Sequence, residues 1–339
     1  MLLRVLVSVF GFFNIVIFVA MTSHGMTCVE LFKGSDPLRS DIPKNTPDSS
    51  EGPGFIAPNE RRIGELRNKL DAARAGIYVT VGTERGYMAA AMLKGKAKGL
   101  VLIDRDQKIN LYNLVNRALL AMAKNRKHYL FLRLRANFKD IQRLIQNSPE
   151  LSTENKLVLR NEKTWQWWQH HVQLSMEWVL FHQAPEKNGS REFENANYLF
   201  DDERFSYISR LARENKIFVI EDKLGTVSLQ TRLEDLVAVL GAKVSVLDLS
   251  NAWQIGYLGH SQTIHLILNL SPLLDPAADL ILTYLQRAQN NQQLESTFGY
   301  TILNQQDVAN SYLFLQILRQ MEMAEPSRGE YRRSRLERD

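Results

Sequence analysis

Chemistry in this chain concentrates where an apolar run, Ile77 to Val81, breaks at Gly82 into Thr83-Glu84-Arg85-Gly86. A second apolar run, Leu100 to Ile103, then ends on Asp104, with Asp106 two residues on. Strand, glycine turn, helix, strand and carboxylate is the order of parts a nucleotide-type cofactor needs at the open edge of a parallel sheet. A glycine in the turn lets backbone N–H groups approach the ligand, and a carboxylate closing the next strand can accept both hydroxyls of a ribose. The spacing from Gly82 to Asp104 is close to the roughly 20 residues that this geometry uses. The plainer alternative is that Gly82 and Gly86 only let a strand turn tightly into a helix.

The turn also discriminates between ligands. A dinucleotide turn carries three glycines as G-x-G-x-x-G, because a pyrophosphate must sit on the helix N-terminus. Only Gly82 and Gly86 are present here, and Glu84 stands where a pyrophosphate would bring negative charge. A ligand with a cationic sulfonium and an amino-acid group suits an acidic turn better. On these residues the chain resembles the Rossmann-like, class I S-adenosylmethionine-dependent methyltransferases. Their first motif is a hydrophobic strand followed by a loose G-x-x-x-G turn, and their second is an acidic residue ending strand two. The resemblance covers about residues 76 to 305, and its specific positions are the first thirty; the commoner G-x-G-x-G core of the family is absent.

That resemblance implies S-adenosylmethionine as a small-molecule cofactor, held by Gly82, Thr83, Glu84, Gly86, Asp104 and Asp222. Asp104 would take the ribose hydroxyls, and Glu221 or Asp222 the adenine edge. The family's fourth motif falls on Asp248, Ser250 and Asn251, beside the reacting methyl group. Methyl transfer is an in-line displacement at carbon, so the protein positions the acceptor and removes its proton where necessary. Asp248 would be that base and Asn251 a hydrogen-bond partner of the acceptor. Each has a bland alternative: Asp106 as a helix cap, Glu221-Asp222 in a solvated turn before Gly225, and Ser250 or Asn251 as an N-cap.

Positioning such residues takes alternating strands and helices, and the sequence supplies them. Glu60 to Ala75 has helical spacing, Ile77 to Val81 is strand one, and Tyr87 to Leu93 opens a helix. Leu100 to Ile103 is strand two, followed by a helix over Gln107 to Lys124. A mostly helical insertion runs from about 129 to 214. Strand three is Lys216 to Ile220, a helix covers Thr231 to Leu240, and strand four is Lys243 to Leu249. Thr263 to Leu270 reads as strand five, Pro276 to Ala288 as a helix, Tyr300 to Leu303 as a short strand, and Val308 to Met323 as a closing helix. The fold class expected is α/β, a doubly wound, mostly parallel Rossmann-like sheet with a large helical insertion. In such a sheet Gly82, Asp104, Asp222 and Ser250-Asn251 meet at the C-terminal strand ends.

The insertion holds Trp165, Trp167, Trp168 and Trp178 with His170, His171 and His182. Zinc ligands on a helix need i, i+4 spacing, which these histidines lack, so a packed core or lid is expected and no metal site. A single cysteine, Cys28, excludes an internal disulfide framework. The 339 residues, 45% hydrophobic, can bury a large core, and a formal charge of +5 spread along the chain gives no strong nucleic-acid signal.

Residues 1–25 read as a signal peptide or membrane anchor: Arg4 precedes the apolar run 5–21, through which the chain would associate with a membrane. Pro37, Pro43, Pro47, Pro53 and Pro58 punctuate a linker over 26–58, and 326–339 is a basic tail. The expected placement is therefore exported, periplasmic or secreted, or membrane-anchored. S-adenosylmethionine is made in cytoplasm, so export and methyl transfer pull in opposite directions. Two further readings stay open: an exported Rossmann-like binding or scaffold protein without catalysis, and an NAD-dependent oxidoreductase.

Overall fold

The computed structural model describes residues 63–181, 197–254, 257–287, 296–304 and 311–323. The leader, the linker, the basic tail and His182 lie outside the described residues.

A six-stranded sheet organises the chain in the order β3-β2-β1-β4-β5-β6. The strands are β1 (Gly76–Val81), β2 (Ala97–Asp104), β3 (Ile217–Glu221), β4 (Val244–Ser250), β5 (Leu274–Arg287) and β6 (Ser296–Asn304). The first five are mutually parallel, and β6 returns antiparallel along β5. Continuous apolar runs such as Leu100 to Ile103 are what strands covered on both faces require. β1 lies between β2 and β4, so the direction of winding reverses beside it. This is the switch point at which open α/β sheets leave a crevice.

Helices cover both faces. They are α1 (Arg67–Ala72), α2 (Glu84–Met92), α3 (Gln107–Met122), α4 (Arg126–Leu134), α5 (Phe138–Gln146), α6 (Thr153–Arg160), α7 (Glu162–Phe181), α8 (Asp202–Arg213), α9 (Val227–Leu240), α10 (His260–Leu270) and α11 (Ser311–Met323). Two glycines mark the faces. A Cβ on Gly86 of α2 would meet Leu102 and Thr80 at 2.6 Å, whereas one on Gly99 of β2 would meet Leu240 of α9 at 2.8 Å. Residues 99 and 102 point to opposite sides of a pleated strand, so α2 and α9 sit on opposite faces. Local chemistry fixes the helix starts: Asp106, Asn125, Asn137, Ser152, Asp201 and Thr226 each accept a backbone N–H of the turn they open. α9 ends at Gly241, whose φ of 57° is the left-handed stop that glycine supplies.

Two expectations are corrected. Residues 260–270 form α10 and not strand five. Thr263, Leu266, Ile267 and Leu270 are buried, an i, i+3, i+4, i+7 stripe, and His265 and Asn269 fall on the exposed face, a helical period in a run rich in Ile and Leu. Residues 274–287 form β5 where a helix over Pro276 to Ala288 is expected. Its Ala- and Leu-rich composition favours a helix, but β4 on one side and β6 on the other both claim its backbone hydrogen bonds, and tertiary context overrides propensity.

The segment between β2 and β3 is helical, as expected. α8, at its end, packs on α2 and α3 as the crossover helix leading into β3, while α4 to α7 are the addition. Trp165, Trp167 and Trp168 on α7 are fully buried. Trp168 stacks on Trp165 at 5.4 Å and on Tyr112 of α3 at 6.0 Å. Truncating any one of the three to alanine would cost about 3–5 kcal/mol. They are part of the core.

Candidate cofactor cavity

A cavity of about 300 Å³ opens at the C-terminal ends of β1 to β4. Val81, Gly82 and Thr83 line it from β1, Ile103 and Asp104 from β2, Asp222 from β3, and Ser250 with Asn251 from β4. The glycine turn and the carboxylate at 104 therefore face one space.

The turn is held from behind. Gly82 has φ of 86°, a conformation that L side chains rarely adopt, and its carbonyl accepts the Asn113 side-chain amide of α3 at 2.9 Å. A Cβ on Gly82 would meet no atom within 4 Å, so the space in front of it is open. Thr83, buried, precedes the first residue of α2. Across from it, the Asp104 carbonyl accepts the Asn110 amide at 2.9 Å and the Asp222 backbone N–H at 3.1 Å. Asp104 Oδ1 accepts the Asp106 backbone N–H at 2.9 Å. Burial pushes the Asp104 carboxyl above its ordinary 3.8, and the Asp106 amide offsets part of that rise. Asp106 itself caps α3 by accepting from Lys108 N at 2.9 Å. Asp222 lines the cavity while its carboxylate accepts from the Thr226 and Ser228 hydroxyls at 2.9 and 2.6 Å, fixing the turn before Gly225.

Three residues expected at the site are placed otherwise. Glu84 is turned away from the cavity, into the α4–α7 region. Its carboxylate is ion-paired with Arg133 at 2.7 Å and accepts the Tyr112 and Tyr198 hydroxyls. Glu84 is 1% exposed and Arg133 0%. The acidity of the turn is thus neutralised internally, and Glu84 does not line the cavity. Gly86 does not line the cavity either; its missing Cβ lets α2 lie against Leu102 and Thr80. Asp248 is fully buried: Arg85 donates to Oδ1 at 2.9 Å, Tyr78 Oη to Oδ2 at 2.7 Å, and the Ser250 backbone N–H to Oδ1 at 3.0 Å. It reaches the cavity wall through Arg85, which does line it. Burial first, and then the Asp248 charge, hold the Tyr78 phenol protonated far above its usual range.

Sequence reasoning did not single out Tyr78, Arg85, Asn110, Asn113 or Arg133. Buried asparagine and arginine inside helices with apolar neighbours were the available signal, because such side chains need partners. Ser250 carries a second signal visible only in the backbone: its φ of 49° is left-handed, a strained state for a serine, at the strand end that faces the cavity.

Fold and site together define a Rossmann-like α/β protein with a cavity at its switch point. The chain belongs to the family described as "Domain of unknown function (DUF7790)", whose model matches residues 55–311. No curated protein matches it. Among solved structures it is similar to the rRNA methyltransferase aviRa from Streptomyces viridochromogenes. The two are 13% identical with a TM-score of 0.34, over 79% of this chain and 96% of that one.

Proposed function

We propose that the cavity binds S-adenosylmethionine and that the chain is a methyltransferase-like protein. The observation that carries this reading is the shared space: the Gly82–Thr83 turn and the Asp104 carboxylate, on neighbouring parallel strand ends, line one cavity. Asp104 would accept the ribose hydroxyls, the Gly82 turn would lie against the amino-acid end, and Asp222 would border the adenine. Asn251, at the end of β4, is the residue placed to hydrogen-bond a methyl acceptor. Asp248 enters as a positioning residue, since acting as a base would require it to give up Arg85. Glu84 and Gly86 support the site from outside.

A volume of about 300 Å³ lies at the lower end of the range for small-molecule sites, which favours a single nucleoside over a dinucleotide. Titration calorimetry of the full-length chain with S-adenosylmethionine and S-adenosylhomocysteine tests the reading. Binding is expected, and Asp104→Ala should weaken it by about 1–3 kcal/mol, the scale of a hydrogen bond to a charged group. No heat at saturating ligand would favour a scaffold, and heat with a nicotinamide dinucleotide alone would reverse the cofactor.

A further inference from the structure

The opposite edge of the sheet carries a second concavity, of about 610 Å³. It lies where α2 ends and β2 begins, bounded by Arg67 of α1, Lys94 and Gly95 after α2, and one face of α8. Arg204, Arg210 and Arg213 line it from α8, and Asp201 and Glu203 are the carboxylates that share it. The Asp201 side chain caps α8 by accepting the Arg204 backbone N–H at 2.7 Å, which ties its charge to the helix start. Lys94 is paired with Asp71 at 2.9 Å. Arg67, Arg204, Arg210 and Arg213 have no carboxylate partner among the described residues.

Unpaired cations on a convex, solvated surface need no explanation. Four arginines and Lys94 around one concavity outnumber the two carboxylates that share it, Asp201 and Glu203, so the groove carries an excess of positive charge that an anion would complement. One of them is also preorganised. The Arg210 guanidinium lies 5.3 Å from the Tyr207 ring centroid, and Tyr207 is itself buried, donating its hydroxyl to the Ala97 carbonyl at 2.8 Å. Arg210 and Arg213, about one turn apart on α8, share a face of the helix, so both can engage one phosphate-bearing ligand. Guanidinium forks match phosphate oxygens two at a time, so several arginines lining one groove favour phosphate chemistry over a lone carboxylate.

We propose that this groove binds phosphate groups, through Arg67, Arg204, Arg210 and Arg213, at a site separate from the cofactor cavity. Tyr207 is the one aromatic ring among its described lining residues, and its face is already taken by Arg210, so recognition is of the phosphates and not of stacked bases. A compact polyphosphate and a nucleic-acid backbone both present that chemistry.

The test uses the full-length chain and two probes: tripolyphosphate in calorimetry, and a short fluorescein-labelled oligothymidylate in anisotropy. Arg210→Gln/Arg213→Gln should weaken whichever probe binds by about tenfold or more. For the oligonucleotide, the slope of log affinity against log salt should fall by about two. Circular dichroism and S-adenosylhomocysteine binding should match the parent, since both positions are exposed and far from the cavity. Binding of tripolyphosphate alone identifies a compact ligand, of the oligonucleotide alone a strand, and of both a general phosphate site. Failure of both probes to bind, or binding that the double substitution leaves unchanged, overturns the proposal.

Discussion

Replacing Glu84 tests the placement that most changes the picture of the turn. Glu84→Ala would leave the Arg133 guanidinium, 0% exposed, without its counter-ion 2.7 Å away, and would remove the acceptor for the Tyr112 and Tyr198 hydroxyls. Breaking a buried pair from one side costs about 3–5 kcal/mol, because a lone charge stays in the interior. That is a large share of the roughly 5–15 kcal/mol by which a domain is stable. Removing both charges is gentler: Glu84→Ala/Arg133→Met leaves no isolated ion and should recover half or more of the loss. Urea unfolding of the full-length parent, Glu84→Ala, Arg133→Met and the double variant, followed by circular dichroism, gives four stabilities and hence the coupling. A loss below about 1 kcal/mol in Glu84→Ala, or a double variant as unstable as the sum of its singles, would refute the buried-pair assignment. Because Glu84 faces away from the cavity, folded Glu84→Gln should also bind S-adenosylhomocysteine within about twofold of the parent. A tenfold weakening, about 1.4 kcal/mol, would return Glu84 to the ligand.

Three other outcomes are expected. Gly86→Ala forces a Cβ to 2.6 Å from Leu102 and Thr80, so it should destabilise by about 1–3 kcal/mol in a thermal melt while leaving ligand affinity of the folded chain intact. Gly82→Ala meets no steric neighbour but must hold φ of 86°, costing about 1–2 kcal/mol, and its methyl enters the open space before the turn. Ligand binding should be lost there, and unchanged affinity would contradict the site. Asp104 has a carboxyl held above 3.8 by burial, so the folded chain binds that proton more tightly than the unfolded chain. Its contribution to stability therefore declines as pH rises from the unfolded value through the raised folded one. Ribose hydroxyls donate to the ionised form, so ligand binding should release protons in that window and strengthen as pH rises through it. Calorimetry in buffers of different ionisation enthalpy counts those protons; proton uptake would contradict the role.

Much of the arrangement was legible in the chain because β1, the turn and β2 are consecutive. Apolar runs fix the two strands, Gly82 fixes the turn, and parallel neighbours must then bring Asp104 beside it. Fold class followed from the alternation of strands and helices. What failed shares one physical origin: partners distant in sequence. Nothing local to Glu84 announces Arg133, so an acidic residue in a turn reads as ligand-facing when it is an internal counter-ion. Gly86 reads as a cofactor-turn glycine until Leu102 and Thr80 are seen beneath it. The α10 and β5 segments are both rich in Leu and Ile with few polar breaks, so periods of 3.6 and 2 are hard to tell apart until their neighbours are known. The basic groove is invisible for the same reason, since Arg67, Lys94 and the α8 arginines are spread along the chain and converge only in the fold.

The most direct measurement is a crystal structure of the full-length chain grown with S-adenosylhomocysteine. Ligand in the cavity, with its ribose hydroxyls about 2.6–3.2 Å from the Asp104 carboxylate and its amino-acid end against the Gly82 turn, is the expected result. A ligand lodged anywhere else, or a cavity that a saturating concentration leaves empty, would contradict it.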